Sequence, residues 1–122
     1  MHAIQIEQYK TKLKLTRNQR DIIAGTLLGD GHLETRNGGR TYRLKIAHSI
    51  RQKEYVDWLY QQFKEWIAEP PRRKTQQCTF PQGTTGTVTT YGFTTYAHGA
   101  LRFYGQQFYT QEGKKVIPKR IE

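Results

Sequence analysis

Asp30 is the residue best placed to do chemistry, because it stands where a helix carrying two glycines should stop. Thr16 and Gln19 form a T-x-x-Q pair, in which each side chain reaches the other's backbone amide, so a helix begins there and runs into Ile22, Ile23, Leu27 and Leu28. Gly25 and Gly29 are spaced to share one face of it, at a cost of about 2 kcal/mol in helix propensity against alanine. Close approach of a second backbone offsets that cost, and the alternative of a glycine-rich strand or loop leaves the capping pair unexplained. The expected seam comprises Ile22, Gly25, Thr26 and Gly29. Asp30-Gly31 then ends the helix, with Gly31 suited to the left-handed C-terminal position. An Asp-Gly pair after a helix is most often only a turn. At the end of a helix-helix seam, however, a carboxylate meets its counterpart from the other helix. Two carboxylates, with water and phosphate oxygens, complete the shell of Mg²⁺, and Mn²⁺ or Ca²⁺ suits the same oxygen ligands. A metal held there can activate water for attack on a phosphate ester.

The charge of the chain points to the same kind of substrate. Lys and Arg number 20 against 10 Asp and Glu, a formal net charge of +10, and each phosphate neutralised by such a group releases counterions. A membrane surface attracts the same charge, but no apolar run approaches the roughly 20 residues of a spanning helix. No signal peptide opens the chain, so the expectation is an intracellular protein without a membrane partner. At 122 residues and 35% hydrophobic content the chain forms one domain around a modest core. Cys78, the single cysteine, excludes an internal disulfide and a cysteine-based zinc site, and the histidines at 2, 32, 48 and 98 lack ligand spacing.

An α+β order of α-β-β-α-β-β-α positions these residues. Residues 1–15 read as a basic arm, with Lys10, Lys12 and Lys14 either solvated or placed on phosphates, and residues 16–122 as the domain. After the first helix, 32–36 and 41–47 alternate as half-buried strands around a turn at Asn37-Gly38-Gly39. Ser49 and Gln52 form a second expected capping box. The helix it opens has Tyr55, Trp58, Leu59, Phe63, Trp66 and Ile67 as its core stripe, and Pro70-Pro71 closes it. Residues 72–80 and 87–96 read as a second hairpin. Leu101, Tyr104 and Phe108 mark a third helix ending near Gly113.

Alternation decides what the sheet presents. With Leu33, Thr35, Tyr42, Leu44 and Ile46 turned to the helices, the other face carries His32, Glu34, Arg36, Thr41, Arg43, Lys45 and Ala47. Any solvated sheet face can carry Lys and Arg, but a cationic two-stranded ribbon also fits the DNA major groove. Arg40 lies in the turn, and Arg72, Arg73, Lys74 and Gln76 extend the basic character to the second hairpin.

Residues 23–31, IAGTLLGDG, resemble the signature of the LAGLIDADG homing endonucleases. The resemblance continues through the following hairpin, Glu54-Tyr55-Val56, Glu69-Pro70-Pro71 and Lys114-Lys115-Val116-Ile117-Pro118. It is to the first half of two-motif members, and the chain reaches Glu122 without a second motif. The resemblance implies two Asp30 carboxylates at paired helix ends, the Gly29 carbonyl as a further metal ligand, and cleavage across the minor groove leaving 3′ overhangs. It also implies that Lys115 is the active-site lysine. His48 takes a place where relatives often carry glutamine, and Lys53 adds a basic group to the same pocket. The expected protein is a dimer-forming, site-specific double-strand DNA endonuclease, with a near-palindromic target if a homodimer. Alternatives are an RNA maturase, a non-cleaving DNA-binding module, or half of a split enzyme with a different second half. An intein is disfavoured, since no splicing domain flanks the repeat.

Overall fold

The computed structural model describes residues 8–116. Its elements are α1 (Arg17–Leu28), β1 (His32–Glu34), β2 (Arg43–Ser49), α2 (Lys53–Gln62), β3 (Arg72–Thr79), β4 (Thr85–Thr94) and α3 (Arg102–Phe108). The expected element order is present. Short 3₁₀ turns at Ile50–Gln52, Lys64–Trp66 and Gly99–Leu101 join or extend the helices.

Helix α1 opens as its sequence requires. Gln19 N donates to Thr16 Oγ1 at 3.1 Å and Thr16 N to Gln19 Oε1 at 3.0 Å, a reciprocal cap on two amides that no helical carbonyl can reach. Gln19, Ile23, Thr26 and Leu27 form its buried face. The end of the helix differs from expectation. The only positive-φ glycines among the described residues are Gly38, Gly39, Gly83 and Gly113, so Gly31 is not a left-handed cap. Gly29 N and Gly31 N both donate to Thr26 O, at 3.0 and 2.9 Å, folding the chain back over the last turn. A Cβ on Gly31 would lie 2.9 Å from Thr26 Cβ and 3.1 Å from Ile46 Cδ1. Glycine is needed there for space.

The strands form one antiparallel sheet in the order β1-β2-β4-β3. Pairing of Ile46 with Phe93 and His48 with Tyr91 sets one face against the helices, where Leu33, Leu44, Ile46, Tyr91 and Phe93 meet Ile23, Leu27, Val56, Leu59, Phe63, Trp66, Leu101 and Phe108. Gly92 pairs with both Ala47 and Arg72, and a Cβ there would overlap the Ile46 carbonyl, so this position lets β4 approach β2 closely.

Four other expectations are corrected. Ser49 Oγ accepts from Arg51 N at 3.3 Å and so caps the 3₁₀ turn, while α2 begins after Gln52 with no side-chain cap. Tyr55 and Trp58 are 43% and 49% exposed, because α2 is rotated to bury Val56 beside the expected Leu59. Helix α3 ends at Phe108, after which Tyr109 is extended and bridges Lys115. In the basic segment, Leu13 is buried, Tyr9 Oη donates to Glu65 O at 2.6 Å, and the Lys10 carbonyl lies 2.7 Å from His98 Nε2. Residues 8–15 therefore lie packed on the domain rather than extending from it, and the arm before residue 8 lies outside the described residues. No described helix is long and apolar enough to cross a membrane.

Candidate active site and nucleic-acid interface

The C-terminal end of α1 gathers the residues with chemical potential. Asp30 has a side chain 78% exposed, beyond the last helical turn. His48, at the end of β2, is on the helix-facing side and places Nδ1 3.5 Å from Asp30 Oδ2. The Tyr55 and His48 rings meet edge to face, with centroids 5.4 Å apart. Lys115 arrives from the other end of the chain and donates from Nζ to Gly29 O at 2.9 Å and Gly31 O at 2.6 Å. An ammonium group at carbonyls on a helix C-terminus is favourable, because those groups lack helical donors and carry the negative end of the dipole. Partial burial holds the Lys115 ammonium below its usual lysine pKa, and attraction to Asp30 opposes that shift.

Lys53 is engaged elsewhere. Its Nζ lies 2.8 Å from Asp57 Oδ2 and 5.2 Å from the centre of the Tyr91 ring, while Tyr91 Oη donates to Asp57 Oδ1 at 2.6 Å. The Lys53–Asp57 half of this network was legible in the i,i+4 spacing, whereas Tyr91 comes from a distant strand.

Beside Asp30, the glycine face of α1 is open. No atom lies within 4 Å of a Cβ placed on Gly25, and Gly29 meets only Thr26 O at 3.8 Å. Leu28 is 44% exposed on the same helix. Thr26 is turned inward, with Oγ1 donating to Ile23 O, and Ile22 is partly buried against the core. Of the four expected seam residues, Gly25 is the one on α1 with open space beside it, while Gly29 falls just past the helix as its C-cap, its carbonyl already taken by Lys115.

The outer face of the sheet is cationic around one carboxylate. Glu34 lies 3.4 Å from His32 Nε2, 3.5 Å from Lys45 Nζ and 3.8 Å from Arg43 Nε. Burial works against ionisation of Glu34, but the bond from His32 and the charge of Lys45 bring its pKa below the usual value. By register, Arg72, Lys74 and Gln76 lie on this face, and Arg43, Lys45, Arg72, Lys74, Thr90 and Thr94 line one shallow trough. Arg73 pairs with Tyr91 and so falls on the opposite, helix-facing side of the sheet. Arg36 and Arg40 are exposed in the β1–β2 loop, where Asn37 Nδ2 donates to Thr41 Oγ1 at 2.8 Å. Lys12 and Lys14 are exposed.

One chain by itself offers a divalent cation few ligands. Among the described residues no three His, Cys, Asp or Glu side chains gather as a metal cluster. One chain offers the exposed Asp30 carboxylate and the Gly29 carbonyl, which already accepts from Lys115. Those oxygens suit a hard cation, which takes one or two carboxylates and fills the rest of its shell with water and phosphate oxygens.

Residues 20–122 match the LAGLIDADG DNA endonuclease family. The chain is 31% identical over 115 residues to DNA endonuclease I-ChuI of Chlamydomonas applanata, covering 90% of this chain and 52% of that protein. It therefore spans about half the length of this relative. The homing endonuclease I-WcaI, solved bound to its DNA recognition sequence, superposes with a TM-score of 0.73 at 23% identity, over 92% of this chain and 47% of that one. At that identity the likeness is one of fold, and it matches the four-stranded antiparallel sheet and its helices. With a family match extending from within α1 through Asp30 and Lys115, the chain belongs to the LAGLIDADG DNA endonuclease family.

Proposed function

We propose that this chain supplies one half of a site-specific, metal-dependent double-strand DNA endonuclease, completed by pairing α1 with the same helix of a second copy. The observation that carries this reading is the convergence of Asp30, His48 and Lys115 at the end of a helix whose glycine face is open. Packing two such faces together brings two Asp30 carboxylates to one place. Mg²⁺ would be held by Asp30 and the Gly29 carbonyl of each half, and when bound it supplies an activated water and charge stabilisation for the leaving 3′ oxygen. Lys115 sets a positive charge beside the scissile phosphate, where charge accumulates during hydrolysis. His48, with Nδ1 toward Asp30, orders the polar groups around the attacking water. The trough of Arg43, Lys45, Arg72 and Lys74 binds DNA, its arginines reading guanine edges in the major groove and its lysines placing phosphates. Lys10, Lys12 and Lys14 add phosphate contacts at the margin. A two-fold pair offers identical sheets to both half-sites, so the preferred target is near-palindromic.

Asp30→Asn tests the reading. The substitution keeps the side-chain volume and removes the charge that holds the cation. DNA binding in Ca²⁺ is expected to persist, and strand cleavage in Mg²⁺ on a site selected from a randomised library is expected to fall to background. A parent that cuts none of the DNA it binds refutes the endonuclease reading in favour of a binding module or maturase. An Asn variant as fast as the parent removes Asp30 from the site.

A further inference from the structure

Lys115 reaches the end of α1 from a segment that, after α3, is fastened to β1. Tyr109, the first residue after α3, accepts a hydrogen bond from Leu33 N at its Oη, 2.8 Å away. The same residue pairs its backbone with Lys115 in an isolated antiparallel bridge. Between them the chain turns tightly. Thr110 N donates to Lys114 O at 2.8 Å, Gly113 N to Thr110 O at 2.9 Å and Lys114 N to Thr110 Oγ1 at 3.1 Å, with Gly113 at φ +83°. Val116 N closes the turn on Phe108 O at 2.7 Å. Lys115 Nζ then bonds Gly31 O, and Gly31 lies two residues before Leu33 in the chain, so the contacts form a ring around the α1–β1 junction.

We infer that Tyr109 is a positioning residue, which locks the 110–115 turn onto β1 and so fixes the Lys115 ammonium over the carbonyls flanking Asp30. The inference rests on the proposed endonuclease function only for its effect on rate. The geometry favours Tyr109 over its neighbours because it alone joins the strand that follows Asp30 to the segment bearing Lys115. Without the hydroxyl, Leu33 N–H loses its acceptor, and the segment is held only by its internal bonds, by Val116 N on Phe108 O and by the Lys115 ammonium itself. A lysine with four side-chain torsions then samples positions off the Gly31 carbonyl, and ångström-scale misplacement of an active-site group slows the chemical step.

Tyr109→Phe tests this with the ring volume preserved, and Thr110→Val loosens the exposed turn without touching the core. In single-turnover assays both are expected to slow cleavage by about tenfold, with DNA affinity within about twofold of the parent. In a Lys115→Gln background, Tyr109→Phe is expected to have no further effect. Equal slowing in both backgrounds, or none in either, overturns the positioning role. A second measurement needs no catalysis. In the free protein, the ¹⁵N-labelled Lys115 ammonium, identified by its absence in Lys115→Gln, is expected to show slowed proton exchange with water that is lost in Tyr109→Phe. Retained protection overturns the clasp whether or not the parent cuts DNA, whereas lost protection with an inactive parent upholds the clasp and refutes only the endonuclease reading.

Discussion

Replacing Gly25 by alanine should move folding and association in opposite directions. In the isolated chain the new methyl enters open space, since nothing lies within 4 Å of its position, and Gly25 is in the interior of α1. The helix then gains the full alanine preference of about 1 kcal/mol, which for a chain of this length is a rise of about 4 °C in melting temperature. If α1 packs glycine face to glycine face, the same methyl from each half is forced into a close backbone contact. Overpacking of that kind costs about 1–3 kcal/mol, or about fivefold to 150-fold in the dissociation constant. Sedimentation equilibrium gives the association constant, and thermal unfolding at concentrations below dissociation gives the monomer's stability. A variant that melts higher yet pairs as tightly as the parent refutes the glycine seam. One that melts lower shows that Gly25 is not in the open helical position described.

The sheet's two faces make different predictions for neighbouring arginines and lysines. Arg43→Ala or Lys45→Ala is expected to weaken DNA binding, lowering the slope of log K against log salt by about 0.9 if a phosphate contact is lost, or relaxing preference at one base pair if a base contact is lost. Arg73→Ala, on the helix-facing side, is expected to leave slope and preference unchanged, and anisotropy titrations in which Arg73 matters more than Arg43 would reverse the assigned DNA face. A further prediction concerns pH. The bond from Lys53, then that from Tyr91, holds the Asp57 pKa below its ordinary value, so its stabilising contribution is complete above the unfolded carboxylate pKa of about 3.9 and disappears as pH falls through the lowered folded value. Asp57→Asn should flatten the acid limb of a melting-temperature profile, and parallel profiles would show that the network does not contribute there.

What the sequence made legible was what neighbouring residues decide. The Thr16–Gln19 cap closes across three residues and the alternation of Arg43 to Ala47 fixes both faces of β2, so both could be read directly. Helix phase was less determined. Tyr55, Val56, Trp58 and Leu59 are all apolar, so the spacing permitted a stripe containing the aromatics, and only the fit of Val56 and Leu59 to the sheet selected the rotation found. The capping residue Ser49 had two amides within reach, and the 3₁₀ turn placed the nearer at its hydroxyl. For the site, the signature located Asp30 and resemblance identified Lys115, but their meeting depends on contacts 84 and 86 residues apart in the chain. Nothing in the local spacing of Tyr109 or Leu33 announces the bond between them, 76 residues apart in the chain.

The electrostatics at the end of α1 explain why lysine, aspartate and a cation belong together in the proposed pair. A helix C-terminus carries about half a negative charge, and Asp30 adds a full one immediately beyond it. In one chain the Lys115 ammonium, bonded to Gly29 O and Gly31 O, offsets most of this, and Asp30 remains largely in water. Bringing two such ends together removes solvent from both and sets two dipole ends and two carboxylates against each other. Two Lys115 groups cancel the carboxylates but leave the helix ends uncompensated. A divalent cation at the junction would supply the missing positive charge, with the exposed carboxylate oxygens as its ligands. The prediction for association follows directly: pairing through α1 should be tighter in Mg²⁺ or Ca²⁺ than in EDTA, and Asp30→Asn, which removes the repulsion and the ligand together, should make association insensitive to the cation.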